Sequence, residues 1–89
     1  MQNPLQGKKL ADDEWPVNPG EYSKVNGKWY AVSPDGSGPI GLTGFRKPWN
    51  VTENTDGTIT VNPSIRVLGA PGQPDLWHGY LIKGIWTKQ

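Results

Sequence analysis

The sequence predicts an all-β fold: a small single domain of six or seven short antiparallel strands, arranged as a folded sheet or partly open barrel, with little or no helix. Three observations carry that expectation. Twelve glycines and nine prolines are spread from end to end of the 89 residues, which cuts the chain into segments too short for a long helix. Two dipeptides, Asn26-Gly27 and Asp56-Gly57, sit between runs rich in β-branched and aromatic residues, a strong short-range hairpin signal. Those runs alternate apolar and polar positions, as half-buried strands do.

Residues 1–20 carry Pro4, Pro16 and Pro19 among scattered apolar positions. They read as an N-terminal arm that packs over the sheet through Trp15, with at most one helical turn at "LADDEW". Residues 21–89 form the single β domain. Its first hairpin is "EYSKVNGKWYAV", residues 21 to 32, where Asn26-Gly27 supplies the two positive-φ positions of a type I′ turn. That turn pairs Val25 with Lys28, Lys24 with Trp29, Ser23 with Tyr30 and Tyr22 with Ala31. One face then collects Tyr22, Trp29 and Ala31, with the Lys24 stem lying over the indole. A turn-rich connection, "SPDGSGPIG", follows.

The second hairpin, "WNVTENTDGTITVN", is tested by register. A two-residue Asp56-Gly57 loop sets Asn54 against Ile59 and Thr52 against Val61, apolar against polar. A three-residue loop, Thr55-Asp56-Gly57, with Gly57 left-handed in a G1 bulge, pairs Val51 with Val61 and Thr52 with Thr60. It gathers Trp49, Val51, Ile59 and Val61 on one face and leaves Asn50, Thr52, Thr58 and Thr60 outside. Pro63-Ser64 is expected to break the ladder before a short strand at "IRVL". The terminal "WHGYLIKGIW" turns at Lys83-Gly84, pairing Ile82 with Ile85 and Leu81 with Trp86, and all four are assigned to sheet burial.

Bulk properties bound the function. One domain of this length buries only about 60–65% of its unfolded surface, which leaves little room for a large cleft. Five Trp and three Tyr supplement a thin aliphatic complement as core. The net charge is +1 and like-charge runs are short, against a strongly electrostatic nucleic-acid binder. A modest basic-aromatic patch around Phe45, Arg46, Lys47, Trp49, Thr60 and Arg66 keeps single-stranded nucleic acid as a weaker reading. With no cysteine and one histidine, no metal or other cofactor is expected. A membrane-spanning stretch and a signal-peptide pattern are both missing from the sequence, so the chain reads as soluble and not exported by the general secretory route. "GSGPIGLTG" has glycines but neither a following helix nor Gly-Lys-Ser/Thr, so it is a loop, not a phosphate cradle. His78 could serve as a general base with Ser64, Ser33 or Asp75 elsewhere in the chain, but no recognisable nucleophile or carboxylate-pair motif accompanies it, so the expectation is a protein that is not an enzyme.

The stretch "WNVTENTDGTITVNPSI" joined to "WHGYLIKGIW" resembles a family of small phage and prophage proteins. Its paired motifs are Trp-x-Val-Thr-Glu-x-x-Asp-Gly-Thr-Ile-Thr-Val-x-Pro-Ser-Ile and Trp-His-Gly-Tyr-Leu-x-x-Gly-x-Trp. The resemblance spans roughly residues 29 to 86. That family is described only as a domain of unknown function. Longer relatives carry cysteines and a zinc-stapled β fold, and the absence of cysteine here means neither zinc nor a peptidase-like activity carries over. Most of the shared motif is explained by turns and strand pairing. The polar and aromatic remainder, Glu53, Ser64, Arg66, Trp77, His78 and Tyr80, makes the candidate binding set. The resemblance implies a phage-encoded binding protein acting on a host protein or defence component in the host cytoplasm. A small virion protein, in head decoration or tail, is the alternative. A third reading has Trp77, Tyr80 and Trp86 form an aromatic cage for a sugar or base.

Overall fold

The computed structural model describes residues 4–44 and 47–89, and the described residues form nine strands and no helix. In chain order these are β1 (Leu5–Gln6), β2 (Lys8–Lys9), β3 (Glu21–Val25), β4 (Lys28–Ala31), β5 (Ile40–Gly41), β6 (Asn50–Glu53), β7 (Ile59–Val67), β8 (Trp77–Ile82) and β9 (Ile85–Lys88). One sheet has the order β1-β9-β8-β7-β6 and the other β2-β3-β4-β5. The fold is all-β, as expected, but it is two sheets that do not close into a barrel, and its strands outnumber the expected six or seven.

Turn chemistry sets the three hairpins. Asn26 and Gly27 both take positive φ, and β3 pairs with β4 in the expected register, Lys24 opposite Trp29 and Tyr22 opposite Ala31. The Lys24 ammonium stands 6.0 Å from the Trp29 ring centroid. Gly57 is left-handed at φ 90°, and the N–H of Asn54 donates to the carbonyl of Thr58 at 2.8 Å. The bulged three-residue loop is therefore the one that forms, and it pairs Val51 with Val61 and Thr52 with Thr60. Lys83 and Gly84 make the last turn, setting Leu81 opposite Trp86 and Ile82 opposite Ile85.

Pro63-Ser64 does not break the strand. β7 runs unbroken from Ile59 to Val67, and the irregularity is absorbed as a bulge against β8: Val61 pairs with Leu81 and Ile65 with Gly79. Three residues on β7 thus oppose Tyr80 alone. A bulge tolerates proline because the extra residues lie outside the ladder.

The N-terminal segment is woven into the sheets rather than laid over them. Leu5 pairs antiparallel with Trp86, while Lys8 pairs with Glu21 in a parallel ladder that the antiparallel expectation did not include. Between them the Gly7 N–H donates to the Gly84 carbonyl at 2.8 Å. One extended segment therefore leaves the first sheet and enters the second. Trp15 does pack as expected, on Tyr30 with ring centroids 4.8 Å apart.

The core lies between the sheets. Tyr22, Trp29, Ala31 and Leu42 come from the four-stranded side, and Ile59, Val61, Ile65, Trp77, Leu81 and Trp86 from the five-stranded side. Trp77 and Trp86 meet edge to face at 5.4 Å and 80°, a favoured aromatic geometry. Fully burying side chains of this size is worth roughly 1.5–3 kcal/mol each.

Candidate functional site

Strand alternation divides β8 into two sets. Trp77, Gly79 and Leu81 face the core, while His78, Tyr80 and Ile82 face outward. Trp77 is 5% exposed, so it is a core residue and not the binding residue its sequence context indicated. Gly79 is required beside it: a Cβ there would fall 2.2 Å from the Thr87 carbonyl oxygen and 2.6 Å from the Trp77 ring. The aromatic cage does not form, because Trp77 and Trp86 are buried and Tyr80 stands on the opposite face of the sheet.

The other β8 and β7 candidates do converge. The bulge swings Ser64 onto the outer face, where its Oγ lies 3.0 Å from His78 Nε2. The Ser64 carbonyl accepts a hydrogen bond from the indole N–H of Trp49, the residue just before β6, at 3.1 Å, which ties down the bulge backbone. Arg66 sits directly opposite His78 in the ladder, and its Nε donates to Asp75 Oδ2 at 2.8 Å. Tyr80 follows two positions along β8, 38% exposed.

Ser64 and His78 have the spacing of a hydroxyl and its general base. Acyl transfer further demands a carboxylate on the second imidazole nitrogen and a pair of N–H donors converging on a developing oxyanion. Asp75, the carboxylate in this cluster, is bound to Arg66. A depression of about 150 Å³ lined by Pro34, Asp35, Leu76, Trp77 and Lys88 holds none of Ser64, Arg66 or His78. The cluster is a polar patch on the outer sheet face, formed by the β7 bulge and the outward residues of β8. Among the described residues no three His, Cys, Asp or Glu side chains are grouped to hold a metal ion.

Glu53 belongs elsewhere. It extends from β6 toward the other sheet, where its Oε2 accepts hydrogen bonds from Lys24 Nζ at 3.0 Å and the Trp29 indole N–H at 3.1 Å. These two donors, the ammonium first, hold its carboxyl below the ordinary glutamate value. Glu53 is thus a clasp between sheets. Of the basic-aromatic patch, Phe45 and Arg46 lie outside the described residues, and Arg66 is engaged with Asp75.

Two residues assigned to burial are instead part of the surface. Ile82 is 49% exposed and Ile85, its cross-strand partner, 38%. The signal was present in the turn: if Leu81 and Trp86 face inward, Ile82 and Ile85 must face outward. With Tyr80 they make an apolar trio on the outer face, continuous with His78, Ser64 and Arg66. Leu68 and Leu76 are also exposed, just past the other end of the β7–β8 pair. The Asn50 and Thr52 side chains of β6 lie on the same outer face, with Thr60 paired opposite Thr52.

Comparison with known family models, curated proteins and solved structures finds no match to this chain.

Proposed function

We propose that this chain is a non-enzymatic binding protein that engages another protein through the outer face of its five-stranded sheet. The observation that carries the reading is the exposure of Tyr80, Ile82 and Ile85 side by side on β8 and β9. Their neighbours are Ser64, His78 and Arg66, and Tyr and Arg are among the residues enriched where proteins meet. The resemblance to phage and prophage proteins supplies the partner class, a host protein or defence component met in the host cytoplasm.

The test is retention of a stoichiometric partner from bacterial host extract, compared between the natural chain and Tyr80→Ala. Removing a central interface tyrosine costs about 2 kcal/mol or more, some thirtyfold in affinity. A host protein held by the natural chain and lost from the Tyr80→Ala and Ile82→Thr variants supports the reading. Equal retention by all three moves the contact off this face. Recovery of the chain in purified phage particles, with no host partner, replaces the reading with that of a small virion component.

A further inference from the structure

The ends of a sheet are where a β fold meets other chains, since an edge strand carries N–H and C=O groups with no ladder partner. Three of the four ends here are built to discourage pairing. β1 is two residues long, β2 is two lysines, and β5 is two residues directly after Pro39. Short edges, edge lysines and flanking prolines all resist strand addition. β6 is the least protected of the four: it is twice as long as the others, carries no lysine, has Pro48 two residues before it and not adjacent, and its one charge, Glu53, is engaged by Lys24 of its own chain. It is the four-residue run Asn50-Val51-Thr52-Glu53, with Val and Thr favouring the extended state.

The direction of its free groups follows from ladder parity. The Asn54 N–H donates to the Thr58 carbonyl, so Asn54, Thr52 and Asn50 turn their backbone groups toward β7, and the alternate residues turn theirs away. On the other side of β7 the Ile59 carbonyl accepts from the Gly84 N–H at 2.9 Å, consistent with the same parity. Val51 and Glu53 therefore point N–H and C=O off the edge, where no described strand pairs.

We propose that β6 pairs antiparallel with β6 of a second copy of this chain, about a two-fold axis at Thr52. In that register Val51 of each copy faces Glu53 of the other, and each facing pair exchanges both of its outward backbone hydrogen bonds. The two five-stranded sheets become one continuous sheet. Thr52 meets its own counterpart across a non-hydrogen-bonded position, with Cα atoms about 4.5 Å apart, a favourable threonine pair. The edge is self-complementary in this register: Glu53 faces a valine, Asn50 faces Asn54, and the two Glu53 side chains fall at diagonal positions about 7–8 Å apart and not directly opposite. Glu53 is already neutralised within its own chain by Lys24. A single strand pair covers far less than the roughly 800 Å² per partner of a standard interface, so the dimer is weak and concentration-dependent. It uses the sheet edge and is independent of the outer-face contact proposed above.

The chain contains no cysteine, so a Thr52→Cys variant reports on this register without background. Facing thiols at this spacing meet disulfide geometry, and under mild oxidation Thr52→Cys is expected to form a covalent dimer at least about tenfold faster than Thr87→Cys, which lies away from the edge. Sedimentation equilibrium of the natural chain from about 10 μM to about 1 mM is expected to show the mass rising above the monomer. Val51→Pro deletes an outward donor while sparing the ladder to β7, and Thr52→Lys opposes two ammonium groups at the axis; both are expected to stay monomeric. A natural chain that stays monomeric throughout, with Thr52→Cys no faster than Thr87→Cys, overturns the proposal. So does a dimer that survives Val51→Pro and Thr52→Lys.

Discussion

Glu53 Oε2 serves two donors from the opposite sheet, the Lys24 ammonium and the Trp29 indole. Its carboxyl is held below the ordinary 4.5, and Glu21, which accepts from the backbone N–H groups of Asn18 and Val17, is lowered likewise. Asp56 joins them through the side chain and backbone of Thr58. A carboxyl with a lowered native pKa binds fewer protons folded than unfolded. Its contribution is fully present above the unfolded value and is lost as pH falls through the native one. Denaturant midpoints are therefore expected to drop between about pH 5 and about pH 3. Glu53→Gln is expected to be less stable than the natural chain at about pH 6 and to lose less on acidification, so the two profiles converge at low pH. Parallel profiles would mean the clasp contributes nothing.

At the scale of the element, each hairpin depends on its turn. Gly57 takes φ 90°, and a Cβ built there meets nothing within 4 Å. The cost of a side chain at this position is therefore backbone strain alone, about 1–2 kcal/mol for a residue forced left-handed. Gly57→Val is expected to lower the melting temperature by roughly 4–8 °C per kcal/mol, with Gly57→Asn recovering most of the loss; an unchanged melt for Gly57→Val would place the register elsewhere. Turns of this kind are why all three hairpins were legible in the sequence: turn residue and alternation agree on one register. β1, β2 and β5 were not legible, because two residues carry no alternation. Nor was the continuity of β7, since proline reads as a break unless the bulge that accommodates it is known. The Ser64–His78 contact depends on that same bulge, in which three residues oppose Tyr80, so the sequence offers Ser64 only as one of several partners for His78, beside Ser33 and Asp75. Trp77 was misassigned because a tryptophan beside a histidine reads as surface, whereas its alternation with Gly79 and Leu81 places it in the core. Ile82 and Ile85 were misassigned the opposite way, by taking apolar character as burial in a sheet whose outer face stays open.

The two sheets make one molecule through residues 5–9. Leu5 and Gln6 pair with β9, Gly7 donates to Gly84, Lys8 donates to Gly20, and Lys8 and Lys9 pair with β3. The Gly20 carbonyl also accepts from the buried Trp86 indole at 3.0 Å, so the corner strand, the start of β3 and the core of the other sheet are tied at one place. On the far side β5 and β6 end their sheets, and the Glu53 clasp spans the sheets through side chains. A chain lacking residues 1–9 keeps every hairpin and every core tryptophan but loses the backbone connection between sheets. Four or more hydrogen bonds at about 1 kcal/mol each give an expected loss of about 4 kcal/mol, or roughly 15–30 °C in melting temperature for a domain of this size. Because the loss falls at the joint, amide exchange in the truncated chain is expected to rise first at Tyr22 and Trp86, whose N–H groups face residues 5–9, while the β6–β7 hairpin keeps its protection. A truncated chain with the melting temperature of the full one would show that core packing, the Trp86–Gly20 hydrogen bond and the Glu53 clasp hold the sheets together without residues 1–9.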